Sequence, residues 1–387
     1  MNTRTNSGLW PALAGALMLA VAMGIGRFAF TPLLPMMQKD HGLSLVLGGW
    51  LATSNYLGYF LGAYTAAWLR AAPGKIISLS LFATAVLTAG MAFTELPVFW
   101  ILLRGLAGVA SAWVLVFTSA WALHRLAAAG APGLRGLLFS GVGFGIMLAG
   151  LLCLLFLDWD WSAERSWFAL GAAALLLSLL VLPVFGGDKP PTAAASTALR
   201  ISVDPRQVLG TALAYGVFGF GYIIPATFLP AMAKQRLPDP ALFGWAWPVF
   251  GFAALVSTLL AGRLMLHYSN RRVWGVSHVV MGVGVILPVL LQGLAGILLS
   301  ALCVGGTFMV ITSAGIQEAR RLAPQDPSRL MARFTAAFAI GQILGPLCVS
   351  LLPKGSGSLT TLLVAAAALL LASGTALLLG GADQVTA

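Results

Sequence analysis

Charged side chains are scarce in this chain of 387 residues, of which only 9% are Asp, Glu, Lys or Arg. Soluble domains carry about a quarter charged residues, so a water-exposed surface over the whole chain is excluded. Among the charged residues the acidic ones are the scarcer, with eleven Asp and Glu against 22 Lys and Arg. Cysteine occurs three times, each time inside an apolar run and without the spacing of metal ligands. The cysteines therefore predict neither a disulfide framework nor a metal centre.

The motifs of an enzyme are also missing. The apolar segments hold no Ser/His/Asp set, phosphate-binding loop or metal cluster. The loops predicted between them are too short for a catalytic domain, and the tails are too short for the signalling segment of a receptor. We therefore expect no enzymatic activity, no cofactor and no metal.

Apolar residues are abundant, at 59% of the chain, and the mean hydropathy is +0.93. Runs long enough to cross a hydrocarbon core of about 30 Å as helices follow one another along the sequence. They fall near 11–37, 44–69, 76–94, 97–123, 135–157, 165–185, 207–232, 243–266, 273–292, 294–317, 331–352 and 359–380. The sequence predicts an all-α membrane protein of about twelve transmembrane helices, with the lipid bilayer as its surroundings.

A spaced pattern recurs in the second half of the chain. Five residues of the first span reappear at a constant offset, namely Gly24, Gly26, Leu34, Pro35 and Met37 as Gly219, Gly221, Leu229, Pro230 and Met232. Parallel repeats of this kind are common in secondary transporters. They predict two pseudo-symmetric six-helix bundles, 1–185 and 207–387. A polar cytoplasmic linker at 186–206 joins them.

Lys and Arg are unevenly distributed between alternate loops. With a cytoplasmic N-terminus, fifteen of the 22 fall on the inner side and five on the outer side, while Arg27 and Arg104 lie within spans. The positive-inside rule then predicts a multi-pass protein of the cell inner (plasma) membrane with both termini cytoplasmic. Because topology accounts for the net charge of +11, we expect no nucleic-acid partner.

The two arginines within spans are the strongest candidates for contact with a solute. A charged side chain in the membrane is costly, so it normally faces a cavity or a partner. Arg27 and Arg104 could bind a carboxylate or phosphate through the guanidinium fork. Alternatively, each could be satisfied by carbonyl groups at a helix end or by a neighbouring polar side chain. Two cations without an acid at mid-depth favour a small organic anion as the solute.

Several uncharged polar residues are further candidates for lining a cavity, although each could equally bridge two helices. They are Asn55, Tyr59, Tyr222, Gln317 and Gln342. Tyr222 is the repeat partner of Arg27, and we expect it to face Arg27 from the other half.

Coupling to protons, if it occurs, needs a group that titrates. The candidates are Glu318 near the inner end of the tenth span, Glu95 at an outer end and His278 in the ninth span. His278 is isolated on an apolar segment, which also fits a histidine bonded to a backbone carbonyl.

Small residues in the fifth and eleventh spans predict tightly packed or flexible gating helices. Gly141 and Gly145 in one half correspond to Gly341 and Gly345 in the other, the last followed by Pro346. Glycine at this spacing allows two membrane helices to approach closely.

Several of these segments resemble the major facilitator superfamily. Residues 104–112 resemble its fourth-helix motif, and 141–150 resemble the fifth-helix motif of proton-driven exporters, from which they depart at Ile146 and Ala149. The signature between the second and third helices is eroded, because Ala66, and Leu266 in its repeat, occupy the usual acidic position. A charge-based inner gate of the usual kind is therefore not expected.

More narrowly, residues 24–35, 55–59, 222–230 and 317–320 resemble the YbfB/YjiJ group of facilitators. The resemblance spans both halves and implies the major facilitator fold, but the substrates of this group are largely undefined. The expected function is secondary transport of a small organic solute by alternating access, by a monomer, with protons as a possible second partner. The alternative is a proton-coupled exporter of hydrophobic drugs or metabolites.

Overall fold

The computed structural model describes residues 3–185, 205–236, 242, 244–323, 327–351 and 358–380. Within these ranges twelve membrane-length helices follow one another. The first, α1, consists of Thr3–Leu19, the π-helical segment Ala20–Arg27 and Phe30–Asp40. The others are α2 Leu45–Thr65, α3 Pro73–Gly90, α4 Pro97–Ala128, α5 Arg135–Asp158, α6 Ala163–Val181, α7 Pro205–Arg236, α8 Ala246–His267, α9 Asn270–Leu290, α10 Leu294–Leu322, α11 Pro327–Leu351 and α12 Ser358–Leu379.

The predicted all-α membrane fold is confirmed. Eleven helices in the described ranges are long and apolar enough to cross a membrane. The remaining helix, α2, has 21 residues, and its polar positions, which include Asn55 and Tyr59, lower its hydropathy. The predicted linker at 186–206 lies outside the described residues except for its last two, which begin α7. The boundaries of the two halves therefore remain predictions.

The helices pack in two equivalent sets. In the first half, α1 packs on α5, both α2 and α3 pack on α4, and α3 also packs on α6. In the second half, α7 packs on α11, both α8 and α9 pack on α10, and α9 also packs on α12. Adding six to each helix number converts one set into the other. In the described ranges the three most extensive contacts between the halves are α5 with α8, α2 with α11, and α1 with α7. These contacts also map onto one another, as a pseudo-two-fold axis requires.

Close backbone contacts at glycine hold each half together. A Cβ added to Gly145 would lie 2.3 Å from the carbonyl oxygen of Ala20, and one added to Gly341 would lie 2.2 Å from that of Gly216. Each of these glycines also approaches a second glycine, Gly24 for Gly145 and Gly219 for Gly341. Because Gly24 and Gly219 are repeat partners in the sequence, Gly145 and Gly341 are spatial equivalents.

The predicted match between Gly141 and Gly341 is thus wrong by about one helical turn. Gly141 packs on Ala16 of α1, and Gly345 packs on Ile223 of α7. The same glycine spacing occurs in both helices, so the sequence pattern alone aligns them equally well in either register. The contacts of these four glycines lie within one half, and their predicted role in gating stays a prediction. Pro346 differs, because its carbonyl lies close to Gly49 of α2, across the interface between the halves.

The ends of the helices define two sides of the molecule. The Asp40 side is the one on which α1 ends and α2 begins, and the Arg70 side is the one on which α2 ends and α3 begins. The central helices α1 and α7 are the most enclosed of the eleven apolar helices. In each of them, 72% of the residues in an apolar stretch of 18 are buried. They carry the residues that meet between the halves.

We predict that Gly58→Ala destabilises the protein. A Cβ at this position would lie 1.9 Å from the carbonyl oxygen of Gly105, so α2 and α4 would have to separate, at a cost of about 1–3 kcal/mol. The matched control is Gly262→Ala, since a Cβ there meets nothing within 4 Å. Thermal denaturation of the two purified variants should show a lower midpoint for the first alone. Equal midpoints would contradict the packing of α2 on α4.

Candidate functional site

Helix α1 is irregular at its centre. Ala20–Arg27 forms a π-helical segment, in which the N–H of Phe28 donates to the carbonyl of Met23 at 3.0 Å. One feature of the sequence favours the irregularity, because Pro32 has no N–H to donate to the preceding turn. π-helical segments frequently occur at functional sites. The α-helix resumes at Phe30.

Arg104 of α4 satisfies the carbonyl groups at this break. Its Nη1 donates to the carbonyl of Gly26 at 3.1 Å and its Nη2 to that of Arg27 at 2.7 Å. The N–H of Thr31, which would bond to Arg27 in a regular helix, donates to Phe28 instead. The geometry therefore favours, for Arg104, the alternative in which backbone carbonyl groups of a helix satisfy the guanidinium.

Asn55 supports the same arrangement. Its Nδ2 donates to the carbonyl of Arg104 at 2.8 Å, so α1, α2 and α4 are joined by side chains that bind backbone oxygens. Arg104 and Asn55 were predicted to contact the solute. The structure instead places their hydrogen-bonding groups between helices of one half, and a direct role in binding remains a prediction for both.

Arg27 lies where the two halves meet. Its Nη2 donates to Oε1 of Gln342 at 2.7 Å, and Nε2 of Gln342 donates to the hydroxyl of Tyr222. Its guanidinium carbon is 4.0 Å from the ring centroid of Tyr59 and 5.0 Å from that of Tyr56. The structure thus brings together four residues singled out in the sequence, Arg27, Tyr59, Tyr222 and Gln342, from α1, α2, α7 and α11.

The groups that contact the guanidinium of Arg27 are polar or aromatic but uncharged, and the nearby charged side chain of Arg104, which binds the carbonyl of Arg27, is another cation. Arg27 is 2% exposed, and its Nε has no hydrogen-bond partner among the residues that the structure describes. The ion pairs found among the described residues involve Lys39, His41, Arg271 and Arg321. A buried cation held by an amide and aromatic faces is stabilised less than one paired with a carboxylate. Within the described part of the chain, the charge of Arg27 thus has no carboxylate partner.

Further polar contacts join the halves between Arg27 and the Asp40 side. The hydroxyl of Thr31 donates to the carbonyl of Ala226 at 2.8 Å, and the hydroxyls of Tyr56 and Thr227 lie 3.0 Å apart. Because Pro230 has no N–H, the carbonyl of Ala226 lacks its usual helical donor. Thr31 and Ala226 have the same separation in the sequence as Gly24 and Gly219, so they are repeat partners that meet at the pseudo-two-fold axis.

Two more contacts continue to the end of the helices on that side. Nζ of Lys234 donates to the carbonyl of Pro35 at 2.6 Å. The hydroxyl of Ser350 donates to the backbone carbonyl of Val46 at 3.1 Å. Sequence reasoning missed Thr31, Thr227 and Lys234. The repeat offset could have indicated Thr31, because positions near the axis must face their own counterparts.

The remaining predicted residues lie away from Arg27. Gln317 is exposed near the Arg70 end of α10, whereas Glu318 is buried and receives two hydrogen bonds from Arg321, at 2.9 and 2.7 Å. His278 accepts a hydrogen bond from the indole N–H of Trp274 at 2.8 Å instead of bonding to a carbonyl. The structure does not bring these three residues to the contact between the halves, and the coupling roles of Glu318 and His278 remain untested predictions.

A family profile described as the uncharacterised MFS-type transporter YbfB matches residues 19–378, nearly the whole chain. The chain belongs to this YbfB-type family of major facilitator transporters. The curated relative YceJ of Bacillus subtilis (strain 168), an uncharacterised MFS-type transporter, is 25% identical over 262 residues. That match covers 62% of this chain and 63% of YceJ, so the chain matches less than two thirds of the relative's length.

Solved structures support the same fold. A variant of the nucleoside transporter NupG superposes with a TM-score of 0.75 and 14% identity, covering 96% of this chain and 99% of the other. NupG itself superposes with a TM-score of 0.72 and 14% identity, covering 98% of this chain and 99% of NupG. At this identity the likeness shows the fold alone. The major facilitator fold expected from the sequence motifs is confirmed.

We predict that the two arginines of this YbfB-type protein differ in their contribution to stability. Arg104→Gln should lower the free energy of unfolding by at least about 1.5–3 kcal/mol, because buried carbonyls lose charge-assisted hydrogen bonds. Arg27→Gln should cost less, since it removes a cation that forms no ion pair with the described residues and leaves an amide beside Gln342. Thermal denaturation in detergent measures both. A larger loss for Arg27→Gln would contradict these assignments.

Proposed function

We propose that this YbfB-type protein is a secondary transporter that moves a small organic anion across the inner membrane by alternating access. The observation that carries the proposal is the buried guanidinium of Arg27 at the meeting of four helices. An anionic group on the solute would supply the charge that Gln342, Tyr56 and Tyr59 do not. The solute would then bind at mid-depth between the halves, where many secondary transporters have their site.

The contacts of Arg27 also link binding to movement. Arg27 belongs to the first half and Gln342 to the second, so their hydrogen bond must break if the halves separate on the Asp40 side. A bound anion would compete with Gln342 for the same guanidinium. This competition gives the solute a different affinity for the two arrangements, which is what a ligand needs in order to shift a conformational equilibrium.

The distribution of Lys and Arg supports an orientation with the Asp40 side outside the cell. In that orientation the contacts of Thr31, Tyr56, Lys234 and Ser350 close the outer side. This arrangement then corresponds to a protein closed toward the outside, with both termini in the cytoplasm.

A second candidate is export of hydrophobic compounds. Three rings lie parallel next to the site, with the ring of Tyr222 5.6 Å from Phe308 and 5.7 Å from Phe338 and interplanar angles of 4° and 8°. Such a stack suits a flat apolar solute. Coupling to protons would then need a titrating group, and the buried candidate Glu318 is already ion-paired.

We predict that binding of the solute depends on Arg27. A panel of organic anions, nucleosides and amphipathic drugs would be tested for thermal stabilisation of the purified protein. A ligand at 100 times its dissociation constant adds about 2.7 kcal/mol to the folded state. Anions should stabilise the wild type but not Arg27→Gln, and they should stabilise the control Arg320→Gln, which removes an exposed arginine at the Arg70 end of α10. If only nucleosides or drugs stabilised the protein, the proposal that the solute is an organic anion would be rejected.

The orientation is predicted separately. In a background lacking Cys153, Cys303 and Cys348, Lys39→Cys should react with a membrane-impermeant maleimide in intact cells. Ala71→Cys, an exposed position on the Arg70 side, should react only after the cells are opened. The reverse pattern would place the Asp40 side in the cytoplasm.

A further inference from the structure

Three acid–base side chains converge on the Asp40 side, away from Arg27. They are His41 after α1, Glu95 before α4 and Glu164 at the start of α6. Their potential ligand atoms all lie within 4.8 Å of one another, and Nε2 of His41 is 2.6 Å from Oε1 of Glu164. Two ligands about 2.1 Å from a tetrahedral zinc ion lie roughly 3.4 Å apart. Small side-chain rotations would therefore bring all three atoms onto one ion.

The backbone around the cluster is held in place by contacts that the ligands do not use. Oδ2 of Asp40, the neighbour of His41, accepts a hydrogen bond from the N–H of Ala163, the neighbour of Glu164, at 2.7 Å. The ring of His41 also lies edge-on against Trp100, with 5.3 Å between centroids. Fixed supporting contacts of this kind orient ligands before a metal binds.

The charge of the cluster favours a cation. It lines a cavity of about 560 Å³ whose lining also includes Asp40, so the cavity has three acidic residues and one histidine. The nearby Lys39 is ion-paired with Asp160, with its Nζ 2.8 Å from Oδ1 of Asp160. A cavity of this size has room for an ion together with water.

The types of ligand discriminate between metals. Calcium and magnesium prefer sites made of oxygen atoms alone, whereas an imidazole with carboxylates suits zinc and similar first-row ions. Zinc is typically bound in four-coordinate geometry, and three protein ligands leave one position for water. Sequence reasoning predicted no metal centre, because these three residues belong to separate loops far apart along the chain and meet only through folding.

We propose that His41, Glu95 and Glu164 form a zinc-binding site that ties together three loops of the first half. The site is separate from Arg27 and does not depend on the identity of the transported solute. Binding would stabilise the ends of α1, α4 and α6 on the Asp40 side.

The proposal is tested on the full-length protein after removal of any affinity tag and treatment with a chelator. Titration calorimetry with zinc chloride should show one site per chain, and zinc should raise the thermal midpoint where equal calcium does not. Glu95→Gln is the decisive variant, because Glu95 is exposed and its loss should leave the metal-free midpoint unchanged. It should weaken zinc binding more than about tenfold, since even outer-shell changes cost roughly 10–100-fold.

Two controls complete the design. Asp158→Asn removes an exposed carboxylate at the end of α5 and should leave zinc binding unchanged, and His41→Ala should abolish it. Absence of zinc binding by the wild type would overturn the proposal. Equal zinc affinity of Glu95→Gln and the wild type, or an equal thermal shift with calcium, would overturn it as well.

Discussion

The organisation of the first half depends on how the break in α1 satisfies its carbonyl groups. In an apolar environment an unpaired carbonyl is costly, so irregular backbone persists only where other groups supply donors. Arg104 supplies them for Gly26 and Arg27, and Asn55 in turn binds the carbonyl of Arg104. This chain of contacts fixes the backbone of α1 at the point from which Arg27 reaches the second half. The two arginines, similar in the sequence, therefore make different kinds of contact.

Contacts within the halves differ in kind from several of those between them. Within a half, helices touch through glycine, as at Gly58 on Gly105 and Gly145 on Ala20, and separating them would open tightly packed backbone. The polar contacts between the halves on the Asp40 side are single hydrogen bonds from side chains, which water can replace. The bond from Thr31 to the carbonyl of Ala226 is an example. Glycine also packs closely between the halves, as at Gly49 on the carbonyl of Pro346 and at Gly251 on Met147, so relative movement of the halves has to change these contacts too.

The second half shows how an eroded motif can coexist with local charge pairing. Leu266 occupies the usual acidic position, so no charge-based gate was expected from the sequence. At the same side of the molecule, Glu318 binds Arg321, and one of its oxygens lies 3.7 Å from Nε of Arg271. Arg271 also donates to the carbonyl of Gly380 at 3.0 Å. The ends of α9, α10 and α12 are thereby joined within one half.

The sequence by itself determined the helical membrane architecture, because the length of apolar runs and the repeat between the halves depend only on local composition and spacing. It also identified Arg27, Tyr59, Tyr222 and Gln342 as polar groups that the membrane interior would force to find partners. Only the tertiary structure decided which partner each one takes, why Arg104 binds carbonyls, and that Gly145 rather than Gly141 matches Gly341. Those outcomes depend on distances between helices far apart in the chain, which spacing along one helix does not encode.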